Sequence, residues 1–416
     1  MLLAHLLVTS LAVQPPTRIA VVGGGLAGLS TAAHLLADTP LQTLHIYDAA
    51  LPGEGGASAV AAGLLHPFTP RGREIWCGTQ GFDATVALIQ RVEAVYGKHF
   101  SRATGLLRLG LSDEKASELQ DVVASSAEHS GGHAAMEQAW LSQEAACTHA
   151  GATVGGLGAS HAPAALCVDV PAYLRGLWHL CEESMRSSAQ SSSSSSSSSA
   201  AANAVETSVE WRLEKLSSLA PLIESAQYDA IIVALGARAT SIDGLQDLPL
   251  RGCRGQNLVL RNGGGWQTPI ISGKYVVPID GGERLLAGAT FEYDATSTAL
   301  HRPADEAFAE SELRAPLERL CPGIGDEELL SVQAGVRALP PRSHHGYVPI
   351  AGRLGGSSQR GAPSTECWLI GGLGSRGLIH HALIGRDLAR AVLARDESLL
   401  PPHVRRAQDA LDAARL

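Results

Sequence analysis

The stretch from Arg18 to Asp48, RIAVVGGGLAGLSTAAHLLADTPLQTLHIYD, constrains this chain more than any other, because it reads as a complete βαβ unit with a glycine fingerprint at its first turn. Ile19, Val21 and Val22 form a short apolar strand. Gly23-x-Gly25-x-x-Gly28 turns that strand into a helix, and Leu44 and Ile46 carry a second strand to Asp48. Each glycine meets a separate steric demand: Gly23 the tight turn, Gly25 the approach of a pyrophosphate to the backbone, Gly28 the close packing of helix on strand. The helix opens at Leu26 and Ala27, whose end of the segment offers free N–H groups and the positive pole of the dipole to phosphates. Asp48, at the end of the second strand, is placed to accept hydrogen bonds from ribose hydroxyls. The expected fold class is α/β, a Rossmann-like domain of parallel sheet and helices with a second, mainly antiparallel-sheet domain.

The balance of residues narrows the function. At 416 residues the chain has room for two domains, and its 45% hydrophobic, 18% charged composition is that of a globular protein. No apolar run is long enough to span a membrane. A net charge of −9 argues against a nucleic-acid partner, since phosphate neutralisation needs clustered Lys and Arg. Seven scattered cysteines with no CxxC suggest neither a disulfide framework nor a zinc site, which fits a reducing intracellular compartment such as the cytoplasm. Met1–Val13 is apolar without a basic leader; it reads as a degenerate signal, a transit-peptide remnant pointing to a plastid or other organelle, or a misplaced start.

After Asp48 the passage LPGEGGASAVAAGLLHPFTPRGREIW is rich in small residues, so that Ala57, Ser58, Ala59 and Gly63 let a second backbone segment lie against the cofactor. His66, Arg71 and Arg73 follow, as the lining of an entrance or as a surface loop. The next parallel-type strand is far off, at Tyr228 to Ala237, and ends on Gly236, a spacing unusual for a nicotinamide enzyme. Between them we expect a helix over 82–96, a strand over 105–111, a helix over 113–124 capped by Ser112, and a helix over 167–187 opened by Asp169 with Pro171 in its first turn. Residues 125–165 show no clear pattern. The run Ser191–Ser199 lacks apolar surface to offset its ordering entropy and reads as a disordered insertion over 188–203. A strand at 209–216, alternating strands over 253–293 and a helix over 304–320 follow. The segment CWLIGGLGSRGLIHHALIGRDLARAVL repeats the opening geometry of strand, glycine turn and helix, with Gly372, Gly374, Ser375, Gly377 and Leu378 at its turn. The expected division is 17–75 with 162–245 and 335–400 for the cofactor domain, and 76–161 with 246–334 for the substrate domain. The pairs His344-His345 and His380-His381 lack carboxylate or Cys companions at ligand spacing, so no metal is expected.

Taken in order, GGGLAGLS with Asp48, GASAVAAGLL, VDVPAYL, DAIIVALGA, YVVPIDGGERLLAGAT, AGVRALPP with YVPIAG, and GGLGSRGL resemble the D-amino-acid oxidase superfamily of FAD-dependent oxidoreductases, over Thr17 to about Leu393. That group includes glycine oxidase, D-amino-acid dehydrogenases and the oxidase half of a bacterial tRNA-modifying enzyme. The resemblance implies non-covalent FAD, its pyrophosphate on Gly23–Gly28 and its ring between GASAVAAG and GGLGSRGL, where a helix end stabilises charge on the reduced flavin. Tyr275, Arg337 and Arg376 match the glycine-oxidase-like branch, and a guanidinium is the donor a substrate carboxylate requires. The implied reaction is oxidation of the C–N bond of a small amino acid or N-substituted amine by hydride transfer to flavin, with O2 or another electron acceptor closing the cycle. A tRNA-nucleoside-modifying oxidase and a non-catalytic FAD-binding assembly protein are the alternatives. The serine run, His66 and the Arg342–His345 turn depart from the family pattern.

Overall fold

The structure, a computed structural model, describes residues 14–129, 132–194, 207–293, 297–355, 365–404 and 406–415. The Met1–Val13 segment and the part of the serine run beyond Ser194 lie outside them. Strand β1 (Arg18–Val22), whose Ile19, Ala20 and Val21 are fully buried, leads through the glycine turn into α1 (Leu26–Asp38). β2 (Thr43–Asp48) lies parallel to β1, with Val21 opposite Ile46. Helix α2 (Gly78–Tyr96) starts ahead of the expected Phe82. It is followed by β3 (Leu106–Leu109) and by α3 (Asp113–His129), where the Ser112 hydroxyl accepts the Lys115 N–H at 3.2 Å as a cap. The unpatterned stretch resolves into pieces too short for a period to show: β4 (Ala139–Ser142), α4 (Gln143–Ala150) and β5 (Gly158–Ala162).

Helix α5 (Val170–Ser194) is capped by Asp169, whose carboxylate accepts the Ala172 N–H at 3.0 Å. Two ends of the expected segment differ. Cys167 and Val168 belong to a short strand, Leu166–Val168, and the helix continues through the first serines of the run to Ser194. Then come β6 (Ser208–Leu213), β7 (Ala230–Val233), β8 (Arg251–Arg261), β9 (Ile270–Ser272), β10 (Lys274–Ile279) and β11 (Arg284–Gly288). Helix α6 (Glu306–Leu320), capped by Asp305, precedes β12 (Leu329–Leu339), β13 (Ile350–Leu354), β14 (Glu366–Gly371) and α7 (Gly377–Ala394).

These strands make two large sheets. The first has the order β13-β14-β7-β1-β2-β6 and is parallel except for the β13–β14 pair. The second, β12-β8-β11-β10-β9-β3-β5-β4, is antiparallel except where β9 meets β3. One face of the first sheet packs Ile19, Val21 and Ile46 against Leu29 of α1, Leu88 and Ile89 of α2, Tyr173 of α5 and Leu383 of α7. Each such large apolar side chain taken out of water contributes about 1.5–3 kcal/mol. That packing draws α2 into the first core, although its position in the chain suggested the substrate domain, because Phe82, Leu88, Ile89 and Val92 make one buried stripe. Strand β12 likewise runs unbroken in the second sheet to Leu339, past the boundary expected at residue 335.

The second sheet is two-faced. Leu107, Leu109, Leu258, Leu260, Val276 and Leu285 form a core with Leu313 and Leu317 of α6. Side chains alternate along a strand, so Arg108, Asn257 and Tyr275 occupy the opposite face, turned to the first lobe. Asn257 makes this explicit, its amide donating to the Val60 carbonyl at 3.0 Å. Among the described residues no helix is long and apolar enough to cross a membrane.

Candidate functional site

Four segments distant in the chain meet between the lobes. The first is the N-terminus of α1. Gly25 precedes the helix in an extended conformation with no side-chain cap, and the first turn holds no acid to compete for its N–H groups. A Cβ at Gly25 would meet only the Ser58 side chain, 3.0 Å away, whereas at Gly28 it would fall 1.9 Å from the Gly23 carbonyl oxygen. Gly28 is therefore needed by the fold, and Gly25 leaves open backbone at a positive helix end, which is the cradle a pyrophosphate fits. Asp48 braces this turn: its carboxylate accepts the Gly24 N–H at 2.6 Å and the Ala50 N–H at 2.9 Å, leaving each oxygen a further acceptor site. The Trp211 ring of β6 lies against Gly24, an approach only glycine permits, and its indole N–H donates to the Ala50 carbonyl.

The second segment is the loop of Ala57, Ser58 and Ala59. The Ser58 hydroxyl accepts the Leu26 N–H at 3.3 Å, so the loop touches the first turn of α1. Its other side reaches the second sheet, where a Cβ on Gly335 would lie 2.5 Å from Val60 and 3.1 Å from the Ala57 Cα. Gly63, at φ +73°, has a cause of its own, since a Cβ there would be 2.0 Å from the Val168 carbonyl. Gly236 opens the helical turn that follows β7, with φ +55° and open space beside it.

The third segment is the turn before α7. Gly372 and Gly374 have positive φ, and their ideal Cβ atoms would fall 3.0 Å from Pro340 and 3.1 Å from Leu339, so this turn rests on the end of β12. Gly377 faces the Leu26 side chain, with 3.6 Å between its ideal Cβ and Leu26 Cδ1. Ser30 of α1 donates to the His381 carbonyl of α7 at 2.9 Å. The two helices thus start side by side, both without side-chain caps. Ala27 and Leu378 are buried near these ends, and Ser375 is exposed.

The fourth is the inner face of the second sheet. Arg337 lies across Gly255, donates to the Thr290 carbonyl at 3.0 Å and stacks its guanidinium over the Phe291 ring at 4.8 Å. Lys274 approaches the same ring, its ammonium 5.4 Å from the centroid, and burial pulls its pKa down. The Tyr275 hydroxyl donates to Asn257 Oδ1 at 2.7 Å, and burial raises the phenol to about 12, so it stays protonated at working pH. Arg376, at the start of α7, is held below the usual arginine range by burial, with Arg342 adding to that effect and Tyr347 opposing it. Arg342 and Tyr347 also line an open cleft of about 530 Å³ with Leu250, Arg251 and Pro340. Among the described residues no carboxylate pairs with Arg337 or Arg376. Arg337 and Tyr275 therefore share one face of the second sheet, and Arg376 stands apart from them in the turn that opens α7.

Sequence reasoning passed over Asn257, Trp211 and Arg108. The first two carry no local signal. Arg108 does, being a charge in the middle of the apolar strand GLLRLGL.

Against known families, residues 18–391 match the model described as FAD dependent oxidoreductase (DAO). A tRNA 5-methylaminomethyl-2-thiouridine biosynthesis bifunctional protein of Caulobacter sp. (strain K31) is 28% identical over 388 residues, covering 93% of this chain and 56% of that protein. The chain thus spans about half the length of the curated relatives it matches. Among solved structures, glycine oxidase from Geobacillus kaustophilus superposes with a TM-score of 0.68 at 20% identity, over 94% of this chain and 98% of that one. Iminodiacetate oxidase from Chelativorans sp. BNC1 gives the same TM-score of 0.68 at 20% identity, over 94% and 100%.

Proposed function

The chain belongs to the FAD dependent oxidoreductase (DAO) family, and from that premise we propose that it oxidises the C–N bond of a small amino acid or N-substituted amine that carries a carboxylate. Bound FAD supplies the acceptor for the hydride lost from the carbon beside nitrogen. The observation that carries the reading is Arg337, an arginine without an acidic partner among the described residues, on the sheet face turned to the cradle and beside Tyr275.

The other roles follow from charge. Arg337 offers a planar pair of N–H donors to a substrate carboxylate, which a lysine would not match. Arg376 stands at the uncapped start of α7, where it can share the carboxylate or stabilise an electron-rich edge of the cofactor. Together with Lys274 these cations disfavour an ammonium in the site, and so favour the neutral amine from which a hydride can leave. Tyr275, kept neutral and already donating to Asn257, can accept a hydrogen bond from the substrate without adding charge. No side chain has to act as acid or base in the hydride step; the residues bind and orient.

The test is stopped-flow flavin reduction by an amino acid and by the amine lacking its carboxylate, in wild type and Arg337→Lys. The variant should keep FAD and lose about 1.5–3 kcal/mol of transition-state binding with the amino acid, the scale of a charged hydrogen bond. The carboxylate-free amine should be little affected. Equal losses for both would end the assignment. A second reading is supported by the relatives' names: a methylaminomethyl group on a uridine is itself an N-substituted amine, so the same chemistry extends to a tRNA nucleoside. Flavin reduction by bulk tRNA, set against the small amines, separates the two.

A further inference from the structure

Arg108 is 5% exposed, and its Nη2 has no hydrogen-bond partner among the described residues. Among the described residues its guanidinium makes one hydrogen bond, from Nη1 to the Pro70 carbonyl at 3.4 Å, and no carboxylate pairs with it. A buried guanidinium left in that state is costly, with burial alone pulling its pKa to about 10. A structural arginine in this protein looks different: Arg254, fully buried, holds Glu292 with Nη1 and the Pro303 carbonyl with Nη2.

The register shows where Arg108 lies. Asn257 stands opposite Gly288, Gly288 opposite Tyr275, Tyr275 opposite Ile271, and Ile271 opposite Arg108. Directly opposed residues share a sheet face, so Arg108 is on the face that carries Tyr275 and Arg337, with Leu107 and Leu109 in the core behind it. His66 stacks on the Phe68 ring with 6.2 Å between centroids, Phe68 packs with the Ile271 that stands opposite Arg108, and burial, with the charges of Arg108 and Arg376, depresses the imidazole to about 3. Its Nδ1 accepts the Phe68 N–H at 3.2 Å, which leaves the proton of the neutral ring on Nε2 as a donor. Arg108, His66 and Arg376 thus offer donors and positive charge only.

We propose that Arg108 and His66 form a second anion subsite on the substrate face, beyond Tyr275 from Arg337, and that the substrate amine bears an acidic group on each side of its nitrogen. This rests on the amine-oxidation reading for its substrate class, with Arg337 taking one carboxylate and Arg108 the other. A dicarboxylate secondary amine satisfies both guanidiniums, where a monocarboxylate leaves Arg108 unpaired.

The FAD-loaded protein tests this with two ethers that cannot be oxidised at nitrogen, oxydiacetate and methoxyacetate, titrated by the flavin difference spectrum and by thermal shift. Wild type should bind the diacid at least about tenfold more tightly, the lower range for one charge-assisted hydrogen bond. Arg108→Met should bring that ratio near one while leaving flavin content and methoxyacetate affinity unchanged, and Arg337→Lys should weaken both ethers alike. Equal wild-type affinities would overturn the subsite, as would an Arg108→Met loss shared equally by both ethers, which would mark Arg108 as an anchor for the Pro70 loop. If Arg108→Met does not hold flavin, wild type decides: kcat/KM for iminodiacetate must exceed that for N-methylglycine. If the ethers discriminate but neither amine reduces the flavin, the subsite stands and the amine-oxidation reading falls.

Discussion

Gly25 and Gly28 stand three residues apart in one motif, and alanine at each should fail in a different way. Gly25 has φ −80° and ψ −170°, a conformation open to any residue, and the new methyl would meet only the Ser58 hydroxyl at 3.0 Å, which rotation of that side chain relieves. The apoprotein of Gly25→Ala should therefore keep its stability within about 1 kcal/mol, because removing glycine also lowers the entropy of the unfolded chain. The same methyl stands where a phosphate must approach the backbone. Each charge-assisted hydrogen bond to the phosphates that the methyl prevents costs about 1.5–3 kcal/mol, so the Kd for FAD should rise on the order of 10- to 100-fold per bond. At Gly28 a methyl would sit 1.9 Å from the Gly23 carbonyl oxygen and 3.2 Å from Val21, with backbone on one side and core on the other. That overpacking should cost the apoprotein about 3 kcal/mol and lower Tm by several degrees. The assay is thermal unfolding of both apoproteins with fluorescence titration by FAD. Wild-type FAD affinity in Gly25→Ala would refute the claim that the flavin's phosphates lie on Gly25, and an unstable Gly25→Ala apoprotein would refute the steric distinction.

Burial holds His380 near pKa 3, with 1% exposure and neither ring nitrogen hydrogen-bonded among the described residues, and His381 near 4. In the unfolded chain both take up a proton below about pH 6.5, so stability is full above that pH and falls as pH drops towards these values, by about 2 kcal/mol for each at pH 5. Chemical denaturation at pH 7 and pH 5 should show this, with a smaller drop in His380→Phe; an unchanged drop would mean that His380 is already solvated or protonated. Tyr275→Phe leaves Asn257 Oδ1 without its 2.7 Å donor and should cost about 1 kcal/mol of stability, read from urea midpoints. Because the phenol titrates only near 12, wild-type flavin reduction should show no Tyr275 inflection near pH 10, and finding one removed by Tyr275→Phe would contradict its burial. Asp48→Ala frees the Gly24 and Ala50 N–H groups and should weaken FAD binding about tenfold or more, seen as flavin loss on gel filtration; full retention would exclude Asp48 from the cofactor site.

Local pattern alone was enough for the two strand–glycine turn–helix units, for the capped helices at Ser112 and Asp169, and for the antiparallel run after residue 253, since periodicity, caps and glycine demands are short-range properties. The limits of α5 were not legible, because the serines after Ser187 carry no apolar period and yet extend a helix already nucleated by packing. Only the tertiary structure decided which distant pieces share a site. Leu26 meets Gly377, and Ser30 the His381 carbonyl, because the apolar faces of α1 and α7 must both be buried on one sheet. Arg108 joins Tyr275 through the register of strands separated by well over a hundred residues, and a strand's own alternation states which side chains share a face but not which lobe that face will meet.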